Sequence, residues 1–212
     1  MPNWCENEVN VYGSEEDITK FKKFVEAKET YHGSCSKRYD YKWDAETGKG
    51  ESIELPNPCD PADPFKDTCD PILEPFSFMS ILPMPDDLIG TASPARVFDT
   101  QEEIDAWKEE HSNYKEIGMG IPITTETQQE LRRKYGTDNW YDWCLDKWGT
   151  KWEVSESYLD DWNESSLNYT FNTAWSPPEG IYNELERLFP DLTISWFYRE
   201  EGVQMAGYLN QW

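Results

Sequence analysis

The sequence predicts an α+β protein built on a ferredoxin-like antiparallel sheet of the split β-α-β kind, interrupted by a long, mainly helical and irregular insertion. Three observations predict it. A β-α signal opens the chain, a β-β-α-β signal with one extra strand closes it, and the stretch between them loses strand periodicity and fills with prolines and cysteines. A split β-α-β sheet joins such halves because its first strand pairs with strands far away in sequence.

Taken in order, Glu8 to Gly13 alternates polar and apolar residues, as a half-buried strand does. Ser14 then precedes Glu15, Glu16 and Asp17, and Ile18, Phe21, Phe24 and Val25 follow at helical spacing, so an N-capped amphipathic helix runs to about residue 27. Asn3-Trp4-Cys5 lies just before the strand, where Trp4 is expected to plug the end of the sheet. Residues 28–75 carry six prolines and a short repeat, Cys59-Asp60-Pro61 and Cys69-Asp70-Pro71, which predicts an irregular surface insertion. Phe76 to Pro83 is a short apolar run, and Pro85 to Leu88 reads as a helical turn.

Ile104 and Trp107 predict a short exposed helix over about 100–111, and Thr125, with Gln128 three residues on, caps a longer one through Leu131 to Tyr135. Gly136 stops it. Asp138 is placed to cap the next helix, whose Trp140, Trp143, Cys144 and Trp148 form a stripe facing a core. Strands are expected at 151–158 and 168–175, a helix from Ser176-Pro177-Pro178-Glu179 to Pro190, a strand at 192–198, and its hairpin partner at 203–209 after Glu201-Gly202. The domain organisation that follows is a sheet domain of residues 1–27 plus 151–212 and an inserted lobe of 28–150, irregular over 28–75 and helical over 100–148.

Only 37% of the residues are apolar, with a mean hydropathy of −0.84, yet 15% are aromatic, including 11 Trp and 12 Tyr. A disordered acidic chain lacks such rings, so the core is built from a few large ones. The 42 acidic and 19 basic residues give a net charge of −23, spread along the chain. Direct nucleic-acid binding is disfavoured, because it depends on Lys and Arg displacing phosphate counterions. The charge keeps a Trp-rich protein soluble and points to basic partners or to none, including a basic host protein that takes the surface for DNA. There is no basic start followed by an apolar run and no stretch of 18 apolar residues, and the five cysteines follow no framework spacing, so a membrane is not expected and reduced thiols in a cytoplasm are.

Met1-Pro2-Asn3-Trp4-Cys5-Glu6-Asn7, Tyr135-Gly136-Thr137, Trp140 to Cys144, Trp148 to Trp152, Thr173 to Pro178 and Tyr198 to Gly202, in that order, carry a resemblance to the YubB ferredoxin-like family over about 1–27 and 120–210. The resemblance implies the ferredoxin-like fold and a phage or plasmid origin, and implies no catalytic residues.

Four groups of residues carry chemistry. Cys5 beside Trp4 would need a base to become a nucleophile, and only His32 and His111 exist, so a structural role is expected. His32, Cys35, Cys59 and Cys69 are soft ligands suited to zinc, although only His32 to Cys35 has the usual two-residue gap. Asp138 and Asp142, with Asp146, fall at four-residue spacing and would line a helix face able to take a hard cation, or stand solvated there. Trp140, Trp143, Trp148 and Trp175 can stack a base or can fill the core, and Ser176 lies at a strand-to-helix turn where free amides receive anions. No phosphate loop, zincin helix or nucleophile elbow is found. The expected function is therefore that of a phage- or plasmid-type accessory protein that acts by binding and inhibits a basic host protein. A nucleotide-signal binder with an aromatic pocket and a metal-dependent enzyme acting on nucleotides or nucleic acid are the alternatives.

Overall fold

A computed structural model describes residues 3–27, 39–44, 49–54, 74–114 and 118–209. The elements in chain order are β1 (Trp4–Tyr12), α1 (Glu15–Val25), β2 (Tyr39–Asp44), β3 (Lys49–Glu54), α2 (Phe78–Ile81), a 3-10 turn (Asp86–Leu88), β4 (Val97–Phe98), α3 (Gln101–Glu110), β5 (Ile123–Thr124), α4 (Thr125–Tyr135), α5 (Trp140–Lys147), β6 (Ser155–Asn163), β7 (Ser166–Ala174), α6 (Glu179–Leu188), β8 (Thr193–Glu200) and β9 (Met205–Leu209).

The sheet order is β6-β7-β1-β8-β9, antiparallel throughout. Strand β1 sits in the middle, with Val9 opposite Tyr169 on one side and Trp196 on the other. The interleaved halves β1-α1-β6 and β7-α6-β8 make the protein α+β and ferredoxin-like, and β9 extends one edge through a hairpin. Helix α1 starts where Ser14 Oγ accepts from the Asp17 amide at 3.3 Å, and it buries Ile18, Phe21 and Val25.

The core is a cluster of rings on the inner face. Phe76 stacks on Phe171 at 4.9 Å and meets Tyr169 and Trp196 edge-on at 5.3 and 5.9 Å, a geometry that suits the ring quadrupoles. Phe76 belongs to the stretch expected to lie in a separate lobe. Residues Met1–Glu26 and Pro75–Trp212 instead form one compact unit, because Phe76, Phe78, Leu131, Trp143 and Trp148 share a core with the sheet. The inserted unit is Ala27–Glu74. Within it β2 and β3 pair antiparallel from Tyr39 opposite Glu54 to Asp44 opposite Lys49, where an irregular stretch was expected. The alternation of Tyr39, Tyr41 and Trp43 with charged residues is the period-two signal for that hairpin.

Two contacts fasten the helices of 75–150 to the sheet unit. Gly180 of α6 passes so close to the end of α5 that an added Cβ would stand 1.8 Å from the Lys147 carbonyl oxygen, and its amide donates to the Trp148 carbonyl at 3.2 Å. The half-buried Glu153 carboxylate accepts from the amides of Phe78, Met79 and Val154 at 2.6, 2.9 and 3.0 Å and from Ser77 Oγ at 3.3 Å, which ties α2 to the approach to β6. Burial raises the Glu153 carboxyl above its ordinary range, against the pull of those donors.

Local boundaries differ from expectation for physical reasons. Trp4 and Cys5 are inside β1, because their backbones pair with Ala174 and Thr173. Thr124 caps α4 and Asn139 caps α5, in place of Thr125 and Asp138. Strand β6 begins at Ser155, four residues after the expected start. In α3 Thr100 and Glu103 form a capping box, and Ile104 is buried. Among the described residues no helix is long and apolar enough to cross a membrane.

Candidate binding face

Strand alternation gives the sheet a second face. Cys5, Asn7, Val9 and Val11 of β1 point into the core, and Trp4, Glu6, Glu8 and Tyr12 point away from it. The helices of this unit pack on the inner side, with Ile18, Phe21, Ile181 and Leu185 in the core, so among the described residues of this unit no helix covers the outer face.

Strand register arranges that face in rungs. One rung runs Tyr158, Thr170, Glu8, Phe197, Tyr208 across all five strands. The neighbouring rung runs Asn172, Glu6, Arg199, Ala206. Except for Tyr208 and Ala206 of β9, these residues line a groove of about 380 Å³. In the second rung Arg199 Nε donates to Glu6 Oε2 at 2.7 Å and Nη2 approaches the same oxygen at 2.5 Å. In the first, Glu8 Oε1 accepts only from Asn10 Nδ2, at 3.1 Å, among the hydrogen bonds of the described residues. Phe197 and Tyr208 hold each other with ring centroids 5.2 Å apart, and Tyr158 stands exposed at the far end. Glu156 accepts from Asn172 at 2.9 Å and Asp160 from Thr170 at 2.6 Å, so four carboxylates surround a groove whose lining includes a single guanidinium.

The comparisons with known proteins bear on the fold. Residues 147–210 match the model of the ferredoxin-like domain in Api92-like protein. That match spans β6 to β9 and overturns the expected YubB resemblance: the likeness is to Api92-like domains. Among solved structures, protein api92 from Yersinia pseudotuberculosis is similar at 12% identity and a TM-score of 0.45, over 98% of this chain and 93% of that one. No curated protein matches.

The residues singled out in the sequence lie elsewhere. Trp143 and Trp148 are buried with their rings 5.5 Å apart, and Trp148 Nε1 donates to the Leu82 carbonyl at 2.8 Å. Trp140 is half-buried beside Met79, Met84 and Ile89. Trp175 is exposed, in the left-handed region at φ 73°, and its amide donates to the Asn3 carbonyl. Ser176 Oγ donates to the Gly149 carbonyl at 2.7 Å, and the Glu179 and Gly180 amides at the turn are already bonded to Pro177 and Trp148.

Asp138 precedes α5 instead of lying on its face. Gln128, Arg132 and Asn139 all donate to it, at 2.8, 2.8 and 2.9 Å. Burial works to raise its carboxyl, and those bonds outweigh burial and hold it below the usual range. Asp142 accepts from the same Asn139 amide group at 2.8 Å and lines one pocket with Asp138, whereas Asp146 lies outside that lining and pairs with Lys147 at 2.8 Å, so two of the three acids are brought together and the third is not. Cys5 and Cys144 are buried free thiols, pushed up by burial to about 11 and about 12. His32, Cys35, Cys59 and Cys69 lie outside the described residues, and among the described residues no group of three or more His, Cys, Asp or Glu is gathered to hold a metal.

Sequence reasoning missed the outer-face residues Glu6, Glu8, Tyr158 and Phe197. Their signal was present as alternate acids in Glu6-Asn7-Glu8, yet the rung they form depends on a register between residues nearly the whole chain apart.

Proposed function

We propose that this chain acts by binding, and that it offers the open face of its ferredoxin-like sheet to a basic protein. One observation carries the reading: a groove lined by Glu6, Glu8 and Glu156 together with Tyr158 and Phe197 on a sheet face that its own helices leave bare. The exposed Tyr158 and the half-buried Phe197, set among acids, supply the two things a basic surface needs, apolar contact and opposite charge. The net charge of −23 adds long-range attraction for the same class of partner. A basic host protein in the bacterial cytoplasm, inhibited by occupation of its DNA-binding surface, is the form of partner this acidity favours. The phage or plasmid setting came with the YubB resemblance and loses that support.

Protamine serves as the test partner. Its affinity should fall steeply between about 50 mM and about 500 mM salt. Reversing Glu8 and Glu156 to Lys should weaken it much more than reversing Glu109 and Glu110 at the end of α3. Equal losses from the two pairs would sink the assignment to this face.

A further inference from the structure

Adjacent rungs of the outer face repeat one acid of β1 and differ in what β8 sets beside it. Glu6 and Glu8 occupy successive outward positions of β1, and their partners on β8 are Arg199 and Phe197. Where β8 offers Arg199, a guanidinium from the next strand reaches the Glu6 carboxylate at 2.7 Å. Where it offers Phe197, a ring backed by Tyr208 stands in that place, and Glu8 keeps only the Asn10 amide. The rung thus repeats the acid and replaces the cation with an aromatic surface, which leaves the Glu8 carboxylate open to a cation from outside the sheet.

Resting on the reading that the open face takes a basic partner, we propose that Glu8 and Phe197 form a seat for an arginine side chain of that partner. The guanidinium lies over the Phe197 ring and donates to the free edge of the Glu8 carboxylate, as Arg199 does to Glu6 one rung away. Stacking and forked donation are what distinguish Arg from Lys, whose compact ammonium is more strongly hydrated. The size of the opening agrees. Tyr158 and Phe197 stand three strand spacings apart, about 14 Å at about 4.8 Å per strand, which admits a planar side chain together with the backbone that carries it. The four surrounding carboxylates attract the partner at a distance; the ring beside Glu8 supplies the preference.

Calorimetry on the full chain with hexaarginine, hexalysine and hexacitrulline peptides tests the seat. Citrulline keeps the shape of arginine and removes its charge. Hexaarginine should bind at least about fivefold tighter than hexalysine, and hexacitrulline should not bind. Glu8→Gln should weaken hexaarginine about tenfold and Phe197→Leu should erase the preference over hexalysine, whereas Glu16→Gln, which removes the same charge from α1, should change affinity less than about twofold. An unchanged preference in Phe197→Leu, or equal affinity of the two cationic peptides for the unaltered chain, overturns the arginine seat. The wider reading is read separately from the triple variant Glu8→Gln, Glu156→Gln, Asp160→Asn. If that variant loses both cationic peptides while no arginine preference exists, the face binds bases without a seat; if it retains them, both proposals fall. Melting temperatures equal to that of the parent chain establish that each variant is folded.

Discussion

The two faces of the sheet are written by the same residues taken alternately, and they obey different rules. On the inner face the large groups are matched with one exception among the described residues, the Tyr169 hydroxyl: Trp196 Nε1 donates to Asn7 Oδ1 at 3.0 Å, Asn7 Nδ2 to Thr173 Oγ1 at 2.9 Å, and the rings of Phe76, Phe171 and Trp196 close around one another. On the outer face Glu8 has one amide contact, and Tyr158 and Tyr208 are more than half exposed. Buried polar groups without partners are costly, so the inner face keeps them few; water tolerates them outside. The difference teaches where to look for function in a chain without a catalytic constellation: on the side of the sheet that stability does not explain.

Four measurements break or sharpen that contrast. The largest effect belongs to Trp196→Ala, which empties the centre of the inner face and should destabilise the protein by about 3–5 kcal/mol in urea denaturation; a loss below about 1 kcal/mol would mean that the ring cluster does not carry the fold. Gly180→Ala comes next, since α5 and α6 must part to admit the methyl group, and a loss of about 1–3 kcal/mol is expected. Unchanged stability there would disprove the close approach of the two helices.

The third concerns pH. Burial raises the Glu153 carboxyl, so the folded protein holds that proton more firmly than the unfolded chain. The stability this contributes is complete below the ordinary glutamate value of about 4.3 and is lost as the pH climbs through the raised one. Stability should therefore decline with pH over that window, and Glu153→Gln should flatten part of the decline. Identical slopes in the two proteins would contradict it. The smallest effect is the one that makes the outer face free for binding: Glu8→Gln should alter stability by less than about 0.5 kcal/mol.

Much of the inner face was legible in the sequence, because it depends on spacing. The stripe Trp140, Trp143, Cys144 and Trp148 reads as buried from three- and four-residue intervals, and all of it is buried except Trp140, which is half-buried. Ser14 reads as a cap from the acids after it, and it caps. Spacing fails where tertiary partners decide between equals. Asp138 and Asn139 are both competent caps, and Asp138 is withdrawn by Arg132, a residue of the preceding helix. Strand β6 was placed early because Lys151 to Val154 also alternates, whereas Glu153 is claimed by the α2 amides before pairing begins. The outer groove was hidden for a related reason: Glu6 and Glu8 are visible acids, but their neighbours Arg199 and Phe197 are fixed only by the pairing of β1 with β8.

The central position of β1 bears on how the molecule is made. Its hydrogen-bonding partners span Ser166 to Ala174 and Thr193 to Glu200, so on the ribosome the first strand emerges long before either neighbour exists. Val9 and Val11 must wait in solution, or in the grip of a chaperone, for some 150 residues of synthesis at about 5–20 residues per second. A nascent chain halted before Ser166 would have α1 but no sheet to lay it on. Assembly of this sheet therefore waits for β7 and β8, which close around a strand made some 150 residues before them.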